Sequence, residues 1–332
     1  MYNPRRWRND PLLTAYSLAY LQDPARFQAG RIFTVMPVEA QSGEIATFPK
    51  EYFMQADLDI RPMGQGAFET TVDVVPVTYA CQEYSKQLVV DRRMTAQGAN
   101  AVAQALESAK GVTRMLVNNG LTFREKTWAD RFFKTGVWTT DWTGVNSGAS
   151  TNQFIRFDQA SATPIATTRA AMKAVEDATG LRPNTVVMGV DVYEAIVNGA
   201  ELKGMYVYSQ GGVPTKQNIA DALEISVDRL FVLGAVQVTS KIGASSVTTA
   251  RVANRKGMWV GYVDPNPAPM VPTAGAIFAW TGLLPGATTE DGGIIERWYS
   301  QERASDIVRY TAAWGMEQIG ADLGIFLDQC VA

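Results

Sequence analysis

The residues of this sequence best placed to do chemistry are three aspartates, Asp57, Asp59 and Asp73. Asp57 and Asp59 alternate, so they would share one face of an extended strand. Carboxylates gathered in this way can hold a hard metal ion. Aspartate is mostly exposed in folded proteins, however, and a solvated loop edge explains the same pattern without a ligand. We therefore predict no metal site here, and metal binding stays the alternative interpretation.

A glycine-rich stretch at 64–69, with the sequence GQGAFE, begins like a dinucleotide-binding loop. It lacks the third glycine of that motif. It also precedes a predicted strand, whereas the motif follows a strand and opens a helix. The sequence has no phosphate-binding loop that ends in Gly-Lys-Ser or Gly-Lys-Thr. We therefore predict no nucleotide cofactor.

The chain contains no histidine, and this excludes catalytic triads built on histidine and every histidine-ligated zinc site. It also removes the commonest general acid or base near neutral pH. Acid–base catalysis by Asp, Glu or Lys remains open. The two cysteines, Cys81 and Cys330, are too few for a disulfide framework, and we expect both to be small buried apolar groups. We assign no catalytic residue.

The densest group of positive charge lies at the N-terminus, where Arg5, Arg6 and Arg8 surround Trp7. Such a group suits either contact with a polyanion or pairing with carboxylates of a neighbouring surface. Nothing in it indicates base-specific recognition. The whole chain carries a net charge of −3, so its overall charge does not indicate a nucleic-acid-binding protein.

The composition is that of an ordered globular protein, with 332 residues, 46% hydrophobic and 19% charged. This length suggests about two domains. The longest uncharged stretch, 265–289, contains five prolines and is a poor candidate for a membrane helix. The N-terminus lacks the apolar run of a secretory signal. We therefore predict no membrane segment.

Hydrophobic periodicity predicts the elements that would position these residues. Residues 31–80 alternate as long β-structure, and the segment 48–66 within them is too long for an ordinary hairpin connection. Residues 95–133 repeat apolar side chains at spacings of three, four and seven, which predicts one long helix. Gly111 and Gly120 weaken its continuity.

The second half of the chain, 166–286, has the pattern of a compact α/β domain. We predict a helix that Gly180 ends and another that Asp191 caps. The predicted elements are helices at 166–179, 192–198 and 219–223 and strands at 185–189 and 229–238. Residues 292–332 return as strands.

The order of these parts resembles the major capsid proteins of tailed bacteriophages, which have the Hong Kong ninety-seven-type capsid fold. The stretch ACQEYSKQL at 80–88 resembles the family's junction between extended loop and spine helix, and RPNTVVMGVDVY at 182–193 resembles a helix–strand–helix of its axial domain. The resemblance covers essentially the whole chain and implies an α+β fold. It implies these parts: an N-terminal arm at 1–36, an extended β-loop at 37–75, a peripheral domain with a long spine helix at 81–161 and 287–332, and an α/β axial domain at 162–286.

What the resemblance implies is a structural protein and not an enzyme. Its copies would form hexamers and pentamers that close into an icosahedral shell around double-stranded DNA, with no cofactor. The expected partners are further copies of the chain, DNA bound without sequence specificity, and portal and decoration proteins. Because the arm follows Met1 directly, we expect either that scaffolding is a separate protein or that the fold assembles unaided. The expected location is the virion capsid, assembled in the host cytoplasm.

The resemblance also assigns two sets of contact residues. Arg5, Arg6 and Arg8 would face the DNA. The extended loop would contact a neighbouring subunit through Lys50, Glu51, Tyr52, Phe53, Asp57 and Asp59. Some family members cross-link a loop lysine to an asparagine near the C-terminus of a neighbour. Lys50 is the one lysine of the loop, but no asparagine follows Asn266, so we expect no cross-link.

Two other interpretations of the sequence stay open. An encapsulin-like nanocompartment would share the fold and enclose a protein cargo in place of DNA. An α/β enzyme that depends on Asp or Glu would instead show one pocket with strongly perturbed carboxylates on a small oligomer.

Overall fold

A computed structural model describes residues 22–56, 73–91, 109–206, 214–241, 243–266, 271–283 and 293–332, with isolated positions between 58 and 71. Over these ranges the chain is a mixed α+β structure, which confirms the predicted fold class. None of the helices there is both long and apolar enough to cross a membrane.

One helix is much longer than the others. The helices of the described ranges are α1 (Ala29–Ile32), α2 (Glu51–Met54), α3 (Ala109–Phe132), α4 (Pro164–Thr179), α5 (Val190–Asn198), α6 (Ala200–Tyr206) and α7 (Lys216–Leu223). The 24 residues of α3 extend over about 36 Å. The helix is continuous across Gly111 and Gly120, and the first part of the predicted long helix, 95–108, lies outside the described residues.

The strands form two large sheets and two isolated pairs within the described ranges. They are β1 (Val35–Val38), β2 (Ser42–Thr47), β3 (Val75–Ala80), β4 (Gln82–Asp91), β5 (Thr140–Val145), β6 (Gln153–Ile155), β7 (Thr185–Gly189), β8 (Leu230–Leu233), β9 (Val236–Val238), β10 (Thr249–Arg251), β11 (Met258–Gly261), β12 (Gly275–Trp280), β13 (Gly293–Ser300), β14 (Ser305–Gln318) and β15 (Gly324–Asp328).

The larger sheet has the strand order β6-β5-β15-β11-β7-β8, with β11 antiparallel to both of its neighbours. Its central strands β7 and β11 are buried along their whole length, as is typical of strands covered on both faces. Val186, Met188 and Val260 pack with α4 on one face, while Val187 and Trp259 belong to the cluster that contains α3 on the other. The sheet therefore lies between the two longest helices.

The second sheet is organised by β14, which is 14 residues long. One edge of β14 pairs with β4 along 305–314. Its other edge pairs first with β13 and then with β12, and β1 adds to β12 in parallel. Because α3 packs against β14, this sheet and the larger one share the long helix as a common support.

Phe33 joins the N-terminal segment to the rest of the fold. Its ring makes edge-to-face contacts with Phe132 at a centroid distance of 5.0 Å, with Trp128 at 5.7 Å and with Trp259 at 6.0 Å. All four side chains are buried. Edge-to-face aromatic pairs add to the stabilisation that burial alone provides. The residue just after α1 thus binds α3 and the larger sheet together.

Two local predictions from the sequence are wrong. The strand predicted over 229–238 is two strands, because β8 pairs with β7 in the larger sheet whereas β9 pairs with β10 in a separate pair, and Gly234 and Ala235 lie between them. Asp191 does not cap its helix. That helix begins at Val190, and the Asp191 carboxylate pairs with Arg255 at 2.7 Å.

Both cysteines are buried free thiols, as predicted. Burial raises the pKa of the Cys81 thiol to about 11 and raises that of Cys330 well above its ordinary value.

Gly120 in α3 is required by a neighbouring ring. The Tyr310 ring lies against Gly120 on one edge and against Gly293 on the other, and a Cβ at either glycine would collide with it. Tyr310 itself is buried, so the ring has little room to move. This contact explains why a helix of this length keeps a glycine in its interior.

We therefore predict that Gly120→Ala destabilises the fold by about 1–3 kcal/mol, because overpacking outweighs the better helix propensity of alanine. Gly204→Ala is the matched control, since Gly204 lies in α6 with open space around it. That change should be neutral or stabilising by up to about 1 kcal/mol. Chemical denaturation of both variants measures the difference, and equal effects would show that Tyr310 does not impose the glycine.

Candidate functional site

The predicted extended loop contains a hairpin whose strands pair from Ser42↔Ala80 to Thr47↔Val75. Its second strand runs five residues past the predicted end of the loop at 75. The connection between the strands, 48–74, carries α2 and the candidate contact residues. Alternating exposure along β2 shows that the hairpin is supported on one side only.

Lys50 lies at the base of this connection and contacts the body of its own chain. Its Nζ is 3.1 Å from the Asp322 carboxylate and donates to the Ala178 carbonyl at 3.1 Å. Ala178 belongs to the last turn of α4, where helix carbonyls carry partial negative charge and favour a cation. Both side chains of the ion pair are partly exposed, and such pairs contribute about 0–1 kcal/mol. Lys50 thus contributes little to the stability with which the base of the loop is held on the body.

The neighbouring candidates make few contacts. Glu51 opens α2 and is exposed. The Tyr52 hydroxyl donates to the Asp73 carboxylate at 3.3 Å, so one member of the acidic cluster has a hydrogen-bond partner across the connection. Phe53 lies edge-to-face against Phe48 at 6.1 Å and remains mostly exposed.

Asp57 and Asp59 lie outside the described residues. Over the part of the chain that the structure describes, no three acidic, cysteine or histidine side chains come close enough to hold a metal ion.

The most unusual feature of the connection is apolar, and the sequence interpretation missed it. Leu58, Ile60 and Met63 are 100%, 96% and 104% exposed. Scattered exposed apolar residues are normal, but three fully exposed ones within six positions are unusual, and such exposure favours contact with another protein. The alternation is visible in the sequence, since Leu58 and Ile60 alternate with Asp57 and Asp59. We call these three residues the loop tip.

The N-terminal arginines Arg5, Arg6 and Arg8 also lie outside the described residues. The described chain begins with Gln22, whose side-chain amide is anchored to β9. Its Nε2 donates to the Val236 carbonyl at 2.5 Å, and its Oε1 accepts from the Val236 N–H at 2.9 Å. The amide therefore makes the two hydrogen bonds of a paired strand and ties Gln22 to β9.

The recess beside α4 does not have the composition of an active site. Its lining carries three basic and three acidic side chains, so its charges balance. Among them Glu224 pairs with Arg169 at 3.3 Å and with Arg182 at 2.6 Å. The strongly perturbed carboxyl group of the described chain, Glu125, is buried against backbone and lies elsewhere.

Known proteins resemble this chain in sequence and in fold. No family model matches the chain. A major capsid protein of Burkholderia phage BcepMu is 23% identical over 217 residues, which are 65% of this chain and 66% of that protein. The chain therefore spans just under two thirds of the length of this curated relative.

Two solved structures agree over nearly the whole chain. A phage-related protein from Bordetella bronchiseptica RB50 superimposes over 97% of both chains, with a TM-score of 0.65 and 17% identity. A chain of the mature capsid of bacteriophage PhiM1 superimposes over 94% of this chain and 89% of its own, with a TM-score of 0.58 and 12% identity. The chain has the fold of this phage capsid chain.

The resemblance predicted from the sequence is thereby confirmed at the level of this capsid fold. The boundaries assigned to its arm, loop and two domains stay predictions. Strands of the larger sheet come from both domain ranges, since β5, β6 and β15 belong to the peripheral range and β7, β8 and β11 to the axial range. The residues assigned to neighbouring-subunit and DNA contacts stay predictions as well.

Proposed function

We propose that this chain is a capsid shell subunit, a structural protein that assembles with further copies of itself. The observation that carries this proposal is the superposition of nearly the whole chain on a chain of a phage capsid. A fold alone does not determine function. The curated relative named a major capsid protein supports the same assignment from the sequence side. These relatives favour a structural protein over an enzyme.

The loop tip supports this proposal physically. A monomer that leaves three large apolar side chains in water forgoes about 1.5–3 kcal/mol for each one that burial would provide. A second copy of the chain can supply the cover. Each such contact is weak, but a closed shell repeats it in every copy, and the combined effect is strong.

The finer arrangement follows the family resemblance and is part of the proposal. Copies would group as hexamers and pentamers and enclose double-stranded DNA, with separate scaffolding and portal proteins, in a virion assembled in the host cytoplasm. The charge of the predicted arm supports the proposal that the shell encloses DNA. A chain with a net charge of −3 repels a packed polyanion unless positive groups are concentrated on the inner face, and Arg5, Arg6 and Arg8 are such a group.

The first test is electron microscopy of the purified protein under assembly conditions. We expect closed particles of uniform size, because every copy of the chain presents the same fold and the same loop tip to its neighbours. Nuclease-protected DNA inside the particles is expected, whereas a protein cargo would favour the nanocompartment. A chain that stays monomeric or dimeric in light scattering under all assembly conditions would contradict the proposal.

The second test addresses the loop tip. Leu58→Asp, Ile60→Asp and Met63→Asp combined should abolish closed particles, because a carboxylate is costly to bury at an interface. The free energy of unfolding of the monomer should change by less than about 0.5 kcal/mol, since all three side chains are exposed in it. Microscopy and chemical denaturation measure the two effects.

The matched control for the loop tip is the triple change Leu58→Met, Ile60→Val and Met63→Leu, which keeps the surface apolar and should assemble normally. Assembly of the triple aspartate variant at the wild-type level would show that the loop tip is not an intersubunit contact.

The third test changes Arg5, Arg6 and Arg8 together to glutamine. Shells should still form and should retain less DNA, because arginine pairs its planar fork with phosphate and glutamine carries no charge. The loss should resemble that of the wild type at raised salt, since these contacts release counterions. Nuclease-protected DNA per shell is the measurement.

The control for the arm is the triple change to lysine, which keeps the charge and should retain most of the DNA. If the glutamine variant forms no shells at all, the arm serves assembly through carboxylates of a neighbour and not DNA binding. Unchanged DNA content would reject both roles.

A further inference from the structure

A buried carboxylate of the long helix, that of Glu125, accepts hydrogen bonds from the backbone at the start of α1. The backbone N–H groups of Gln28 and Ala29 both donate to Oε2 of Glu125, at 2.9 and 2.8 Å. Glu125 is 1% exposed. Its other oxygen, Oε1, is also buried and accepts no hydrogen bond from any described residue. A charged group of this kind is rarely buried without a full set of partners.

The segment 28–33 depends on this carboxylate for its conformation. Its helix α1 has four residues, far too few to be stable on its own. The first N–H groups of any helix lack acceptors within the helix, and Glu125 supplies the acceptor for them here. Ala29, Ile32 and Phe33 then bury their side chains against α3 and the sheets. We call residues 28–33 the arm root, since they lie in the last part of the predicted arm, 1–36.

Among the described residues, few charges act on Glu125. Its own helix provides Arg124, which favours the ionised carboxylate and lies against Gly30 of the arm root. Arg31 of α1 is exposed and acts on Lys216 of α7. On the β14 side, Glu317 is engaged by Arg131 at 3.1 Å. Burial outweighs the favourable contacts and raises the pKa of Glu125 to about 7.

We propose that Glu125 is a proton-dependent latch that holds the arm root on the long helix. In the closed state the carboxyl is buried beneath α1. In the open state residues 28–31 have left Glu125 and the carboxyl is solvated, while Phe33 keeps its contacts with Trp128, Phe132 and Trp259. The buried state disfavours the negative charge, so closing the latch takes up a proton near neutral pH.

The direction of the pH effect follows from the two states. The pKa of Glu125 is raised to about 7 when closed, and an exposed glutamate titrates near its ordinary value of 4.5. A group whose pKa is raised on closing stabilises the closed state fully below the lower value, and this stabilisation is lost as the pH rises through the upper one. The arm root therefore binds more tightly at pH 6 than at pH 8, by about tenfold in the closing equilibrium.

Hydrogen exchange of the full-length, unassembled chain tests the latch. Protection of the amides in the arm root, corrected for the intrinsic exchange rate at each pH, should fall about tenfold between pH 6 and pH 8. Glu125→Gln keeps the shape and the acceptor oxygen but cannot ionise, so its protection should be independent of pH. Glu176→Gln, at an exposed position of α4, is the matched control and should follow the wild type. The amides of β15 serve as the internal reference.

Two results would overturn the latch. One is wild-type protection of the arm root that stays constant from pH 6 to pH 8. The other is a Glu125→Gln variant with the same pH dependence as the wild type. If that variant fails to fold, the wild-type pH series with its β15 reference still decides. Either way the outcome does not depend on whether the chain forms shells.

Discussion

The contact of Phe33 with Trp128, Phe132 and Trp259 is the interaction on which the rest of the structure depends. It joins three parts of the chain that are distant in sequence: the arm root, the long helix and the larger sheet. Hydrophobic burial alone is non-directional and would tolerate several arrangements. Edge-to-face rings restrict the relative orientation of their supports, so the long helix acquires a fixed position between two sheets.

The described chain packs its apolar interior closely and leaves apolar side chains exposed on part of its exterior. Its main clusters bury aromatic and aliphatic side chains from nearly every described element. The loop tip exposes its apolar side chains completely, and Lys50 ties the base of the same connection to the body only through exposed contacts. The chain thus combines strong internal packing with an exposed apolar segment that is weakly held. This combination suits the proposed subunit, which would gain stability from contacts with neighbouring copies.

Periodicity predicted the elements well wherever one face of an element decides its burial. The helix ended by Gly180 and the strand Thr185–Gly189 follow from local capping and apolar runs, and both are confirmed. The split at Gly234 and the pairing of Asp191 with Arg255 depend on residues from elsewhere in the chain, which periodicity does not report. The same holds for the candidate site. The sequence predicted the loop, and its alternation contains Leu58 and Ile60, but alternation does not tell which face is exposed; the structure shows that both side chains are exposed.

The two thiols have a practical consequence. Thiol reagents attack the exposed thiolate, and Cys81 and Cys330 are both buried with pKa values raised above the ordinary range. The native cysteines are therefore expected not to react with maleimides near neutral pH. A single cysteine placed at an exposed position such as Gln55 would be the one reactive thiol of each copy, so fluorophores or cargo could be attached at a defined point of the surface without removing any native residue.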